Sequence, residues 1–443
     1  MLRRMSEAAR DLLAFIDRSP TPYHAVAEAC RRLAAVGFTP LDEVSTWELS
    51  PGDRRLVVRG DGSLLALEVG AESPAEAGFR VIGAHTDSPN LRLKPRADGT
   101  AHGYRQLGVE PYGGVLLHTW LDRDLSLAGR VTLARPTGVP RSLRVDFARP
   151  LLRVPSLAIH LQRELATEGL KLNPQQHGVP VAGLEDAPPL AELVVAELRA
   201  RGEGVFAARD VLAFDLMTYD LQPGRLGGAH GEFVLAPRLD NLASCHAAVS
   251  ALATAGDGPA GLAPFTRAIA LHDHEEVGSR SFQGAGGPFL ASGLERCVAG
   301  FKGGRPQGLA RALARSFLVS ADMAHAVHPS FADRHEPAHR PLLGRGPVVK
   351  LNAGQSYASD AVSAGLFTAV CRSVGVEPQH FVTRSDLACG STIGPISAAR
   401  VGIPTVDVGS PMLSMHSCRE MAGTADVAPM IEVLRAFLRG AGA

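Results

Sequence analysis

Two adjacent carboxylates, Glu275 and Glu276, stand just beyond an apolar run, Ala268-Ile-Ala-Leu271, in the stretch Leu271-His-Asp-His-Glu-Glu-Val-Gly-Ser279. A short apolar run of this kind reads as a buried strand. Carboxylates side by side at its end repel each other unless positive charge separates them. A metal ion is the economical solution: one glutamate coordinates it, and the other stays free as a general base toward a water that the metal activates. Four further segments look like the rest of such a site, and they are taken up below.

The chain has 443 residues, too many for one ordinary core, so two domains are expected. Lys+Arg and Asp+Glu both total 45. That balance supports neither a basic nucleic-acid surface nor a polybasic membrane patch. No apolar run approaches the roughly 20 residues of a membrane span, and the first residues hold no apolar core of signal-peptide length. Six cysteines, at 30, 245, 297, 371, 389 and 418, are scattered without a Cys-x-x-Cys pair. Reduced thiols in a cytoplasmic protein are the reading they support.

Along the chain, residues 4–18 and 23–36 read as helices separated by Ser19-Pro-Thr-Pro22. Residues 55–69 read as a hairpin around Gly60-Asp-Gly62, and Phe79-Arg-Val-Ile-Gly83 as a buried strand. From about 95 to 235 the texture changes to short strand-like pieces, among them 114–118, 127–133 and 143–147, with helix returning near 188–201. Beyond Arg238 helix and strand alternate again: helix 240–255, strands 268–271, 316–320 and 348–351, helix 358–374, strands near 380–383 and 405–408, and a last helix at 424–440. The expected architecture is α/β, a mostly parallel sheet flanked by helices, formed by 1–94 and 236–443, with an inserted β-rich domain at 95–235.

In open α/β sheets ligands bind beyond the carboxyl ends of the strands. His85 and Asp87 follow strand 79–83, Glu275 and Glu276 follow 268–271, Asp322 follows 316–320, and His416 follows 405–408 after a short loop. Asp240 lies at the mouth of a helix. With Asp240 bridging, His85, Asp240, Glu276, Asp322 and His416 give each of two metals one histidine and one further carboxylate. Mixed N/O ligation suits zinc, with manganese or cobalt as alternatives. Asp87 is placed to accept the other ring N–H of His85 and fix its tautomer. A single histidine or aspartate at a strand end is more often a structural residue; the joint pattern is what carries weight.

Five motifs together resemble the aspartyl aminopeptidase family of co-catalytic zinc exopeptidases: Gly83-Ala-His-Thr-Asp-Ser-Pro-Asn-Leu-Arg-Leu-Lys-Pro95, Arg238-Leu-Asp-Asn241, Glu275-Glu-Val-Gly-Ser279, Asp322-Met-Ala-His-Ala-Val-His-Pro329 and Met415-His-Ser-Cys-Arg-Glu-Met421. The resemblance runs from Ser19 to the C-terminal helix. It implies that His85, Asp240 and Asp322 bind one zinc and Asp240, Glu276 and His416 the other. It makes Glu275 the general base and Asp87 the residue orienting His85. It implies a dimerisation role for the insertion, with His160 lent to the active site of a neighbouring subunit to polarise the scissile carbonyl. Lys350 matches a lysine that meets the acidic side chain of the substrate, and Tyr357 lies in the matching Tyr-Ala-Ser segment. Assembly as a dimer-based tetrahedral dodecamer is also implied. The lead-in His272-Asp-His274 departs from the family pattern without touching a ligand or the base.

The expected activity is removal of N-terminal residues, Asp or Glu first, from peptides. The rivals are a related two-metal amidase, deacylase or dipeptidase, and a scaffold that has lost catalysis; the intact ligand set and Glu275 argue against the second. His335-Glu-Pro-Ala-His339 matches a zinc-binding pattern that works only on a helix, and Pro337 argues against one there. The glycine-rich pieces 284–287 and 300–304 lack phosphate-loop spacing and read as turns.

Overall fold

The computed structural model describes residues 2–135, 137–256, 262–301 and 307–442, without the side chains of residues 2–5. The expected turn at 300–304 therefore falls partly outside the described residues. The chain divides into two compact units: 1–87 with 224–415 and 420–443, and 88–223 with 416–419.

The first unit is built on a nine-stranded sheet, ordered Thr39–Pro40, Arg54–Arg59, Ser63–Glu68, Thr266–His272, Phe79–His85, Phe317–Ala321, Thr405–Gly409, Val348–Leu351 and Gln379–Val382. Five of its neighbouring pairs are parallel and three antiparallel, so the sheet is mixed with a parallel centre. Every residue of Thr266–His272, Phe317–Ala321 and Thr405–Gly409 is buried. Side chains alternate faces along a strand. Val81 and Leu318 accordingly join a cluster with Leu65, Phe289 and Leu294. Their neighbours Ile82 and Val319 join one with Phe15, Leu33, Leu252 and Phe437. Apolar matter on both faces is why these strands read as unbroken hydrophobic runs.

The helices of this unit follow local rules. Pro22 opens Pro22–Ala34, where its fixed φ and missing N–H are tolerated. Asp360 caps Ala361–Ser373 by accepting from Ser363 N at 2.7 Å. A small five-stranded sheet, Arg225–Gly227, Phe233–Ala236, Glu420–Gly423, Pro411–Leu413 and Ala324–His325, completes the unit. The sequence does not announce it, because strands of two to four residues carry no period.

The second unit holds a six-stranded antiparallel sheet, ordered Arg141–Asp146, Leu125–Leu133, Val211–Asp220, Asn90–Ala101, Tyr104–Tyr112 and Val181–Leu184. Helix Leu190–Ala200 sets Leu190, Val194 and Leu198, four residues apart, into its core. One expectation fails here. Residues 114–118 are no strand: the segment leads into a 3-10 turn, Leu117–Trp120. Leu116 N donates to the His416 carbonyl at 3.2 Å, and Thr119 N closes back on Leu116 O at 2.9 Å. These bonds take the amides that a sheet ladder would need.

Candidate active site

Three neighbouring strands, Thr266–His272, Phe79–His85 and Phe317–Ala321, run parallel, with His272 opposite His85. Their carboxyl ends therefore lie along one edge, and the chemistry-bearing residues follow directly. His85 is the last residue of its strand, Glu275 and Glu276 lie in a 3-10 turn Glu275–Val277, and Asp322 follows Ala321. His274 and Gly278, at φ 66° and 92°, bracket that turn in the left-handed region. Asp87 fixes it, accepting from Glu275 N and Glu276 N, each at 3.0 Å.

Asp240 arrives from the other direction. Helix Leu239–Ala255 is non-helical at Asp240 and Asn241, which frees the carboxylate from the helix surface. Asp240 N donates to Glu420 Oε2 at 3.1 Å, and Asn241 Nδ2 donates to Ala321 O at 2.9 Å. The step is thus tied to the end of a neighbouring strand.

His85 Nε2 lies 3.4 Å from Asp240 Oδ1 and 3.3 Å from Asp322 Oδ1. Ligand atoms of His85, Asp240 and Asp322 all lie within 4.8 Å of one another, as do those of His85, Glu275 and Glu276. Nδ1 of His85 faces the Asp87 carbonyl at 3.1 Å and Asp87 Oδ1 at 3.4 Å. A carbonyl can only accept, so Nδ1 carries the hydrogen and Nε2 presents its lone pair to the carboxylates.

Electrostatics shows what this donor set needs. Burial raises the Glu275 carboxyl to about 7, with Asp322, Asp87 and Asp240 adding to the shift. Burial and then Asp240 push Glu276 well above the usual range. Burial alone would lower His85, yet its contacts with Asp240, Asp322 and Asp87 raise it well above its usual value. So many carboxylates share this space only by binding protons or cations. Carboxylates and a tautomer-fixed imidazole suit divalent metal. The residues fit the group.

His416 belongs to the four-residue segment of the second unit. Its Nδ1 faces the Gly114 carbonyl at 3.1 Å, and a Cβ on Gly114 would approach that nitrogen to 2.9 Å. By the same logic as at His85, Nδ1 donates and Nε2 keeps its lone pair. His160 also lies in the second unit, in an exposed 3-10 turn Ile159–Leu161. Leu157, Ile159 and Leu161 around it are 56%, 51% and 73% exposed.

Lys350 is buried on Val348–Leu351, its Nζ 3.3 Å from Asp322 Oδ2 and 3.1 Å from Met323 O, and 5.3 Å from the centre of the Tyr357 ring. Tyr357 lines a cavity of about 310 Å³ with His325, Phe381, Thr383 and Arg384. His335-Glu-Pro-Ala-His339 is indeed not helical; His335 Nε2 accepts from His328 N at 3.2 Å, and His339 Nδ1 sits 2.5 Å from Glu336 Oε2. Asn241 and Glu420, which hold the Asp240 step, went unmarked in the sequence reading, although both stand inside the quoted motifs.

Residues 15–438 match the model of the family described as aminopeptidase I zinc metalloprotease (M18). The chain belongs to the M18 family. Relatives include "Probable M18 family aminopeptidase 2" of Streptomyces coelicolor, 46% identical over 97% of both chains, and its namesake in Pseudomonas aeruginosa, 47% identical over 98% of both. Among solved structures, the fold is similar to a chain of the Ape4 and Nbr1 complex, at TM-score 0.95 and 40% identity over 98% of this chain and 86% of that one. It is also similar to a chain of the mApe1 dodecamer from Saccharomyces cerevisiae, at TM-score 0.86 and 30% identity over 99% of this chain and 97% of that one. This M18 chain is a metallo-aminopeptidase of α/β fold, as its sequence predicts. None of its described helices is long and apolar enough to cross a membrane.

Proposed function

We propose that this aminopeptidase removes N-terminal Asp or Glu from peptides with a two-metal centre. The observation that carries the reading is the convergence of His85, Asp240, Asp322, Glu275 and Glu276 at one sheet edge, with the buried ammonium of Lys350 against Asp322. His85, Asp240 and Asp322 would hold one ion, and Asp240, Glu276 and His416 the other. Zinc comes first, with manganese or cobalt as substitutes. When bound, the ions supply Lewis acidity toward water and the scissile carbonyl. Glu275 takes the proton of the attacking water and returns it to the leaving amine. Asp87 keeps His85 in its ligating tautomer and the Glu275–Val277 turn in place.

Lys350 pairs with the acidic side chain of the substrate, and Tyr357 walls the adjoining cavity. His160 stabilises the developing oxyanion in the site of a neighbouring copy. The exposed leucines and isoleucine beside it are suited to a homo-oligomeric contact, and the insertion would serve as dimerisation domain. A dimer-based tetrahedral dodecamer is the assembly proposed; the dodecamer of the yeast relative supports it. The setting is cytoplasmic, in keeping with six cysteines of which none is in a disulfide.

Replacing Lys350 with Ala tests the acidic preference. The ratio of kcat/KM for acidic over neutral aminoacyl amides should collapse by about tenfold or more, the scale of losing a hydrogen bond to a charged group. An unchanged ratio would assign specificity to another group.

A further inference from the structure

Asp407 is the one charged residue in the strand Thr405-Val-Asp-Val-Gly409, between Val406 and Val408 on an inner strand of the sheet. Its side chain is completely buried. A carboxylate there is expensive unless donors surround it. Two separate elements supply them. Ala358 N donates to Oδ2 at 2.6 Å, and Thr392 Oγ1 donates to Oδ1 at 2.7 Å. Ser320 lies opposite Asp407 in the parallel register.

The packing is close as well as polar. Thr392 caps helix Ile393–Val401, accepting from Gly394 N at 3.2 Å while it donates to Asp407. A Cβ at Gly394 would fall 2.2 Å from Asp407 Oδ2, so the first turn of that helix rests directly on the carboxylate. Ser359 takes the Asp407 backbone N–H at 2.8 Å. Burial pushes the Asp407 carboxyl upward; Lys350, Ala358 and Thr392 pull against it.

Each of these contacts to 358 and 359 holds the residues immediately after Tyr357. The Tyr357 ring in turn lies over Lys350 Nζ and walls the cavity of about 310 Å³. We infer that Asp407 is a positioning residue for substrate selection: it clamps the Tyr357-Ala358-Ser359 turn over Lys350 and so sets the shape of the pocket for the N-terminal side chain. Asp407 reaches neither substrate nor metal ligand in this role. The inference rests on the proposed reading of Lys350 as the group that meets an acidic side chain.

The test is Asp407→Asn in the full-length assembled enzyme, with Lys350→Ala alongside, on aspartyl, glutamyl and neutral aminoacyl amides. The amide nitrogen of Asn is a donor, so it must either face Ala358 N–H and release it or face Thr392 and turn that hydroxyl from donor to acceptor, which disturbs the clamp either way. The expected result is a fall of about tenfold in the acidic-to-neutral kcat/KM ratio. It should be carried by KM for the acidic substrates, with bound metal and neutral-substrate kcat retained. An equal loss of kcat on all substrates would mark a purely structural role and overturn the inference. An unchanged ratio in Asp407→Asn beside a collapsed one in Lys350→Ala would overturn it too, leaving the Lys350 reading intact. An unchanged ratio in both would remove the Lys350 reading and this inference with it. Should Asp407→Asn not fold, Thr392→Val decides: it withdraws one donor from the same carboxylate, and a lowered ratio supports the clamp while an unchanged one overturns it.

Discussion

The two units treat a charged residue in mid-strand differently. In the second unit Asp215 sits within Val211–Asp220, half-buried, with Arg92 and Arg130 on neighbouring strands as partners, the latter at 2.8 Å. Water still reaches that face, so an ion pair suffices. In the first unit Asp407 occupies a strand covered on both sides and takes donors from two other elements. Two-sided burial expels polar chemistry from the body of the sheet and gathers it at the carboxyl ends of the strands. That is where His85, Glu275, Glu276 and Asp322 are found.

This contrast can be broken most severely by polar substitution in mid-strand. Val319→Asn buries an unpaired amide in the apolar cluster of Phe15, Leu33, Leu252 and Phe437 and is expected to cost more than about 4 kcal/mol. Arg144→Asn, at an exposed position of the second unit's edge strand, should stay within about 0.5 kcal/mol. Urea midpoints measure both, and similar losses would refute the contrast.

The chemical half of the comparison comes next. Glu275→Gln keeps the turn and the shape of the side chain but removes the base. Turnover should fall by about 10² to 10⁴-fold with metal still bound; an active variant would end the role assigned to Glu275. His416→Ala removes a proposed ligand carried by the second unit. Bound metal should drop from about two equivalents to about one, because His85, Asp240 and Asp322 form a group of their own. Full retention of both ions would take His416 out of the ligand set.

The smallest effect on the monomer is expected from Leu161→Asp. The residue is 73% exposed, so stability should move by no more than about 0.5 kcal/mol. Oligomer size, read by light scattering, should fall, and activity with it. An intact assembly would place the contact elsewhere.

Much of the first unit was legible because burial on both faces leaves an unmistakable mark. Runs such as 79–83, 268–271 and 316–320 have few other fates, and the residues that follow them carry the chemistry. Segment 114–118 misled because an apolar tetrapeptide carries no record of its hydrogen-bond partners; the amide of Leu116 goes to His416, some three hundred positions away. The small sheet containing Ala324–His325 and Pro411–Leu413 is held by pairing between distant short segments. Asp407, Glu420 and Asn241 went unread for a related reason. Their importance lies in what they bond to, and only an aspartate inside an apolar run gives a local hint of it.

The most direct test of the account is hydrolysis of aminoacyl chromogenic amides by the purified enzyme, before and after chelation, with zinc, manganese or cobalt returned. The account predicts activity led by aspartyl and glutamyl amides, lost to the chelator and restored by metal. Undiminished activity in the chelated, metal-free protein would contradict the metal centre, and release led by neutral residues would contradict the acidic pocket.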